Sequence, residues 1–197
     1  MNPAGNAATC GLNKVARRLL QLGVKPALSF FLKRILSLAF SERYPLHIRE
    51  IERIAEILAG DASGYNELVH PWDVIAVAAN GDVTTFSPDF MELRSPRYNN
   101  FCFGNILKDD FEGLVESVTL TTALHDISAG VELCKRQCQY FEVCGGGSPG
   151  NKMADHNSLD AAETLFCRLS VQAPADALTE FVSEIARASP TVRSSAE

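Results

Sequence analysis

The sequence predicts an α+β fold, in which N-terminal helices precede a β-hairpin, a cysteine-rich loop region and a C-terminal helix. Three observations predict it. Apolar residues recur at helical spacing near both ends of the chain. An Asn-Gly dipeptide separates two β-prone runs. The stretch from Leu133 to Thr164 is rich in cysteine and glycine but poor in aliphatic residues. Apolar and charged fractions of 46% and 21% are typical of a packed chain.

The helices follow from apolar periodicity and from their end signals. Between Asn13 and Phe40 the apolar spacing is helical, and Pro26, just after Gly23, predicts a break into two helices. A third helix is predicted from Pro45 to Leu58, because Gly60 stands where a C-terminal cap is expected. The last helix is predicted over residues 175–188, with these residues facing inward: Leu178, Phe181, Val182 and Ile185.

The middle of the chain reads as a hairpin followed by irregular connections. Residues 72–77 and 83–86 form β-prone runs on either side of Asn80-Gly81, which predicts a two-residue hairpin turn. Residues 87–100 predict a long connection, because they contain two prolines and little apolar periodicity. The run 103–106 predicts a tight turn into a helix over 109–116. The stretch 133–164 has too few aliphatic residues to order itself, so we expect a bound metal to fix it.

Charge and hydropathy exclude several classes of protein. The net charge of −6 argues against general nucleic-acid binding, which needs clustered Lys and Arg. No apolar run approaches the ~20 residues of a membrane span. No early apolar stretch is followed by the small-residue cleavage site of an export signal. We therefore expect a cytoplasmic protein with no nucleic-acid or membrane partner. The six cysteines then indicate metal or redox chemistry rather than disulfides.

Four cysteines form the main candidate site. They follow the pattern Cys134-x3-Cys138-x5-Cys144, and Cys167 comes 22 residues later. Three thiols on one compact loop, with a fourth from a later segment, can complete a tetrahedral or cubane metal site. The three glycines directly after Cys144 allow backbone amides to approach the sulfurs. An iron–sulfur cluster is favoured over purely structural thiols. A structural zinc site stays open, although the paired Cys-x2-Cys spacing common in zinc modules is absent.

The same residues resemble a known family. The run Cys134–Lys152, together with Asn80–Asp89, Phe103–Ile106 and Glu163–Leu169, resembles the SPASM region of radical SAM peptide maturases. The similarity is closest to the cyclophane-forming maturases of glycine-rich-repeat peptides, and it covers about residues 45–172. It implies three regions: 1–60, a helical segment like the end of a radical SAM barrel; 61–172, a SPASM-like auxiliary-cluster domain; and 173–197, a C-terminal helix and tail.

The resemblance implies one auxiliary [4Fe–4S] cluster in this chain, held by Cys134, Cys138, Cys144 and Cys167. SPASM regions typically bind a second cluster as well, but here Ser87 and Ser148 stand where cysteines of that second site are expected. Since a serine alkoxide is far less accessible than a thiolate, we expect the second cluster to be absent. No catalytic residue is predicted.

Radical SAM enzymes cleave S-adenosylmethionine at a cluster bound by Cys-x3-Cys-x2-Cys, and that motif does not occur in this sequence. We therefore expect part of a peptide maturase, either a truncated product or a separately encoded half, that cannot generate the radical alone. The implied partners are a precursor peptide and either a separate radical SAM subunit or a second copy of the chain. Two alternatives remain open, namely a zinc-stabilised peptide-recognition module without redox chemistry and a degenerate remnant.

The remaining reactive residues carry weaker predictions. Cys102 has no cysteine nearby in sequence and is predicted to be a half-buried structural thiol, and Cys10 is predicted to be incidental. Lys152 could either steady cluster charge or be solvated. The other residues considered share no ligand spacing and are predicted to be local turn, cap or surface groups: Asp89, Asp155, Asp160, His47, His70, His125 and His156.

Overall fold

A computed structural model describes residues 23–188 and confirms the α+β class. The described helices and strands, in chain order, are α1 Val24–Ser41, α2 Arg49–Ala59, β1 Ile75–Val77, β2 Asp82–Thr85, β3 Gly104–Asn105, α3 Phe111–Val115, α4 Val118–Gln137, α5 Phe141–Cys144, α6 Pro149–His156, α7 Leu165–Cys167 and α8 Ala173–Ala188. None of these described helices combines the length and the apolar character that a bilayer crossing requires.

Contacts divide the described residues into two compact units. The first unit comprises Gly64–Leu165, and the second comprises residues 23–63 and 166–188. The three strands, helices α3 to α6 and three of the four cysteines belong to the first unit. Cys167 belongs to the second unit.

The second unit is built from α1, α2 and α8. Helix α1 begins directly after Gly23, whose left-handed backbone (φ 67°) serves as the N-terminal cap. Pro26 therefore lies in the first turn, where its missing N–H breaks no helical hydrogen bond. The helix predicted upstream of Gly23 lies outside the described residues. Lys33 on α1 forms ion pairs with Glu180 (3.1 Å) and Glu184 (2.9 Å) on α8, across the contact between these two helices.

Helix α2 and the C-terminal helix follow their predicted positions closely. Helix α2 begins at Arg49 rather than Pro45, and it ends at Gly60, whose φ of 82° confirms the predicted cap. A short π-helical turn, Arg168–Gln172, precedes α8. The N–H of Ala173 bonds there to the carbonyl of Arg168, five residues earlier. Pro174 has no N–H with which to continue a regular ladder, and this accounts for the wider turn.

The hairpin is confirmed, but its turn is not the predicted two-residue one. Strands β1 and β2 pair antiparallel with Val77 opposite Val83, and the N–H of Ala78 donates to the carbonyl of Asp82 at 2.9 Å. The loop is therefore three residues long. A two-residue type I′ turn needs positive φ at both central residues, whereas of Asn80 and Gly81 only Gly81 (φ 88°) has it. The run 103–106, predicted as a tight turn, also differs from its prediction. Its residues Gly104–Asn105 form β3, the third strand of the sheet.

The core of the first unit is aromatic. Phe86, Phe90, Phe101 and Phe103 are almost fully buried, and Phe90 stacks on Phe101 with ring centroids 4.1 Å apart. The connection after the hairpin supplies two of these rings, because it folds into the 3-10 segments Pro88–Met91 and Pro96–Phe101 instead of running as an open loop. Burial of these rings therefore orders a stretch whose sequence has no periodicity.

Helix α4 is the largest element that the sequence analysis missed. Its 20 residues bury one face against the aromatic core through Leu120, Ala123 and Ile127. Beyond it, Met153 on α6 and Leu159 are also buried in that core. The prediction that residues 133–164 lack the means to order themselves was thus wrong. Helices α5 and α6 and two core side chains order this stretch in the structure.

Candidate metal centre

Three of the four candidate cysteines lie around the C-terminal end of α4. Cys134 is in the last turn of α4 and is buried, and Cys138 is the residue that caps this helix. The N–H of Cys138 donates to the carbonyl of Cys134 at 2.8 Å, so the helical ladder fixes the positions of these two residues. Cys144 is the last residue of the short helix α5. The sequence-predicted trio therefore lies on one helix end and on one short helix of the first unit.

The three glycines after Cys144 turn the chain back toward the thiols. Gly145, Gly146 and Gly147 all have left-handed backbones, with φ of 58°, 100° and 72°. This conformation disfavours residues that carry a Cβ. The N–H groups of Gly146 and Gly147 act on the Cys144 thiol by lowering its pKa, and the Gly147 N–H donates to the Cys144 carbonyl at 3.4 Å. The Cys134 thiol donates to the carbonyl of Gly146 at 3.6 Å. Backbone amides directed at a cysteine sulfur are the arrangement that stabilises thiolate charge in a metal site.

A distant segment holds the glycine turn in place. A Cβ on Gly145 would come within 2.5 Å of the carbonyl oxygen of Gly64, so the two backbones meet where no side chain fits. The side-chain amide of Asn66 donates to the carbonyl of Gly147 at 3.0 Å. The sequence analysis selected neither Gly64 nor Asn66. They lie about 80 residues before the turn in sequence, and no local pattern marks them.

Burial and the two neighbouring cysteines both affect the pKa of the Cys144 thiol. Burial raises the pKa of the Cys144 thiol, and charge interaction with Cys138 and Cys134 acts in the same direction. The N–H groups of Gly146 and Gly147 oppose that shift. A thiol with a raised pKa is protonated at neutral pH, so binding a metal at Cys144 must release a proton.

Lys152 is buried on the same side of α4 as Cys134. It is only 2% exposed, which excludes solvation, one of the two alternatives that the sequence left open. Its Nζ lies beside Gly130, where a Cβ would come within 3.0 Å of it. Gly130 and Cys134 are four residues apart and therefore share one helix face. A buried ammonium group one turn from a candidate thiolate is suited to offset negative charge at that site.

The donor set has the chemistry that an iron–sulfur cluster or a zinc ion requires, because it consists of thiols with backbone N–H groups around them. Across residues 23–188, however, no three His, Cys, Asp or Glu side chains are arranged so that they could hold a metal ion as they stand. Cys167 is half-buried at the end of α7, and its sulfur accepts a hydrogen bond from the Gln172 side chain at 3.5 Å. The five cysteines in the described residues are free thiols.

The two serines at the expected second-cluster positions are both secluded. Ser87 is buried in the first unit. The Oγ of Ser148 is buried and has no hydrogen-bond partner among residues 23–188. The carboxylate of Asp89 lies near Gly150, where a Cβ would come within 3.4 Å of it and within 3.5 Å of the Ser148 Oγ. Neither serine provides a thiolate to this region.

The other reactive residues have local roles. Cys102 is half-buried, as predicted, and donates to the carbonyl of Gly104 at 3.4 Å. Asp155 caps α7 by accepting from the N–H of Leu165 at 2.7 Å, and Asp160 bonds to Ser158. The histidines contact separate neighbours, in the pairs His47–Glu52, His70–Tyr65, His125–Asp126 and His156–Glu163. Cys10 lies outside the described residues.

Comparison with known proteins gives one distant relative to consider. The chain is 30% identical over 155 residues to the uncharacterized protein sll1766 of Synechocystis sp.. The aligned part covers 78% of this chain, and the chain spans only 39% of that relative's length. No protein-family profile matches the chain. No solved structure matches it either.

Proposed function

We propose that this chain is an auxiliary iron–sulfur domain of a radical SAM enzyme that cross-links a ribosomally made precursor peptide. The observation that carries the proposal is the Cys144 turn. Two glycine N–H groups there lower the pKa of a thiol that also interacts electrostatically with Cys134 and Cys138. Structural thiols need no such donors, whereas cluster-bound thiolates are stabilised by them. The resemblance of the cysteine run to SPASM regions supports the same assignment.

The proposed ligands are Cys134, Cys138, Cys144 and Cys167. The first three belong to the first unit, where Cys134 and Cys138 interact electrostatically with Cys144. The assignment of Cys167 rests on the sequence pattern alone. With four thiolate ligands, a [4Fe–4S] cluster leaves no iron open to substrate, so we propose that its role is to relay an electron or to support the fold. The protein's own part is to hold the sulfurs, to direct the Gly146 and Gly147 amides at Cys144, and to place Lys152 near the negative charge.

We propose that the S-adenosylmethionine chemistry belongs to a radical SAM barrel with a Cys-x3-Cys-x2-Cys motif, which this sequence does not contain, and that the partner is a separate radical SAM subunit or a second copy of the chain. The second unit offers a surface for such a partner. Phe30, Phe31 and Phe40 on α1 are 70%, 56% and 63% exposed, which is unusual for large apolar side chains grouped on one helix. The free thiols among the described residues support a cytoplasmic location, which is part of the same proposal.

Anaerobic reconstitution of the full chain with iron and sulfide tests the metal assignment. We expect about four iron and four sulfide ions per chain and an EPR signal after reduction. Cys144→Ser and Cys167→Ser should each lower the iron content, whereas Cys102→Ser, a matched half-buried control, should not. Zinc bound at one equivalent, with no iron, would overturn the cluster assignment and favour the zinc-stabilised peptide-recognition module. Unchanged folding and metal content in Cys167→Ser would remove that residue from the ligand set.

Sedimentation of the reconstituted chain tests the partner surface. We expect self-association when the chain is alone, because three exposed phenylalanines on one helix favour burial. Phe31→Glu should reduce it. Phe111→Glu, at a 70% exposed phenylalanine of the first unit, serves as the matched control and should not. A chain that stays monomeric at high concentration would argue that the exposed phenylalanines of α1 need no partner.

A further inference from the structure

A cavity of about 520 Å³ lies beside the sheet of the first unit, away from the cysteine trio in sequence. Its wall is formed by residues 82–84 of β2, by the hairpin turn, and by parts of the segment that runs from Met91 to Cys102. Five of its lining residues matter to the argument: Asp82, Thr84, Arg94, Asn100 and Phe101. The cavity therefore combines one cation, one anion and several neutral polar groups. Its volume is within the range of small-ligand sites.

Thr84 gives the cavity an unsatisfied hydroxyl. Successive side chains of a strand point to opposite faces, so Thr84 lies on the same face of β2 as Asp82 and on the opposite face from Thr85. Thr85 is fully bonded, since its Oγ1 accepts from the Trp72 N–H and donates to the Val74 carbonyl. Thr84 is 2% exposed, and its Oγ1 has no hydrogen-bond partner among the described residues. Buried hydroxyls are nearly always bonded, so a ligand group is the natural partner for this one.

Arg94 supplies a cation whose position is fixed. Its Nη1 donates to the backbone carbonyls of Met91 and Leu93, each at 2.9 Å. Within residues 23–188, Arg94 makes its hydrogen bonds through Nη1 alone. Its Nε and Nη2 groups can therefore donate to a bound group. A guanidinium held in this way can bind a carboxylate with two parallel hydrogen bonds.

The acid in the cavity wall is hydrogen-bonded within the fold. Asp82 accepts from the side-chain amides of Asn105 at 2.9 Å and Asn80 at 2.8 Å. These bonds from Asn105 and Asn80 hold the pKa of Asp82 below its usual value, and the charge of Lys108 acts in the same direction. Both oxygens of Asp82 are thus occupied by donors within the fold, whereas Arg94 bonds only to backbone carbonyls, so the Arg94 guanidinium is not paired with this acid.

The rim of the cavity has a strained backbone. Asn99, Asn100 and Phe101 are consecutive residues in the left-handed region, with φ of 47°, 52° and 62°. Asparagine tolerates this conformation, but phenylalanine seldom adopts it. The Phe101 ring is held in the aromatic core, and this places the Asn100 side chain at the cavity. Strained segments of this kind are found where a fold positions groups for a ligand.

We infer that this cavity is a binding site for a carboxylate group, with Arg94 and Thr84 as its principal donors and Asn100 at its rim. The carboxylate can belong to a free dicarboxylic acid or to an acidic side chain of a peptide. This inference does not depend on the proposed metal centre, because none of the cysteine trio lines the cavity.

Titration of the full ¹⁵N-labelled chain tests the inference with three probes: succinate, N-acetyl-aspartyl amide and neutral succinamide. Succinate and the aspartyl amide should shift the amide resonances of residues 82–84 and 99–102 with saturation. Succinamide should not. Equal affinity for the two acids indicates a free dicarboxylate, whereas about tenfold tighter binding of the aspartyl amide indicates a peptide side chain. Both outcomes support a carboxylate site.

Three variants make the test specific. Arg94→Gln should weaken binding about tenfold or more, because a charge-assisted pair is lost. Thr84→Val keeps the side-chain shape and should weaken binding about fivefold. Arg49→Gln removes an exposed arginine of the second unit and should leave the affinity unchanged. Salt should weaken binding to the wild type but hardly affect Arg94→Gln. Unsaturable shifts, equal binding of succinamide, or equal effects of the two arginine variants would overturn the inference.

Discussion

Replacing Gly145 by alanine measures how tightly the Gly64–Asn66 segment packs against the cysteine turn. An added Cβ would come within 2.5 Å of the Gly64 carbonyl oxygen and within 2.9 Å of the Asn66 Cβ. Both neighbours belong to the chain segment opposite, so neither can move aside as a flexible side chain would. Gly147 is the matched control. It has a similar left-handed backbone, with φ of 72° against 58°, but an added Cβ there meets no atom within 4 Å.

The expected magnitudes follow from these two positions. Both variants place an alanine in the left-handed region, which destabilises the fold by about 1–2 kcal/mol. Gly145→Ala adds a steric overlap of a kind that destabilises packed interiors by about 1–3 kcal/mol. Gly147→Ala should therefore lower the free energy of unfolding by about 1–2 kcal/mol, and Gly145→Ala by about 2–5 kcal/mol.

Urea unfolding of the metal-free chain, followed by circular dichroism, gives these free energies from the midpoint and slope. In thermal melts the two variants should differ by about 2–12 °C for a chain of this length. Iron loading should fall further in Gly145→Ala than in Gly147→Ala, since both variants keep the backbone N–H groups but only the first displaces the turn. Equal destabilisation of the two variants would refute the close approach of Gly64 to the turn.

Three further predictions concern the core, the polar cluster and the buried lysine. Phe90→Ala should lower the free energy of unfolding by about 3–5 kcal/mol. Phe111→Ala, at an exposed position, should change that free energy by less than about 0.5 kcal/mol. Urea unfolding midpoints of the two variants provide the comparison. Burial opposes ionisation of Asp126, but hydrogen bonds from His125, Tyr98 and Arg97 hold its pKa below the usual value. The stability that ionised Asp126 contributes is therefore present above the unfolded pKa of about 4, and it is lost as the pH falls through the lower folded pKa. Asp126→Asn should remove this loss of stability at acid pH, and it should lower the free energy of unfolding by about 1.5–3 kcal/mol at pH 7. Lys152→Met should make the cluster reduction potential more negative than the exposed control Lys135→Met does, as measured by EPR-monitored titration.

Local chemistry in the sequence determined several features of this protein. The apolar spacing in α1, α2 and α8 reflects the 3.6-residue period of a helix that buries one face, and the left-handed Gly60 ends α2 as a cap. The hairpin followed from Asn80-Gly81 between β-prone runs. The cysteine trio and its glycines were also evident, because a compact thiol cluster and a glycine run that allows left-handed backbones are properties of neighbouring residues.

The tertiary structure decided the features that depend on residues far apart in sequence. Helix α4 contains several β-branched residues and Gly130, which weaken helix propensity. Packing of its Leu120–Ile127 face on the aromatic core explains its stability. The third strand, the burial of Lys152 and the closeness of Gly64 to Gly145 have the same origin. A sequence pattern reports the period of one element, whereas long-range packing fixes which backbones meet and which charges are buried.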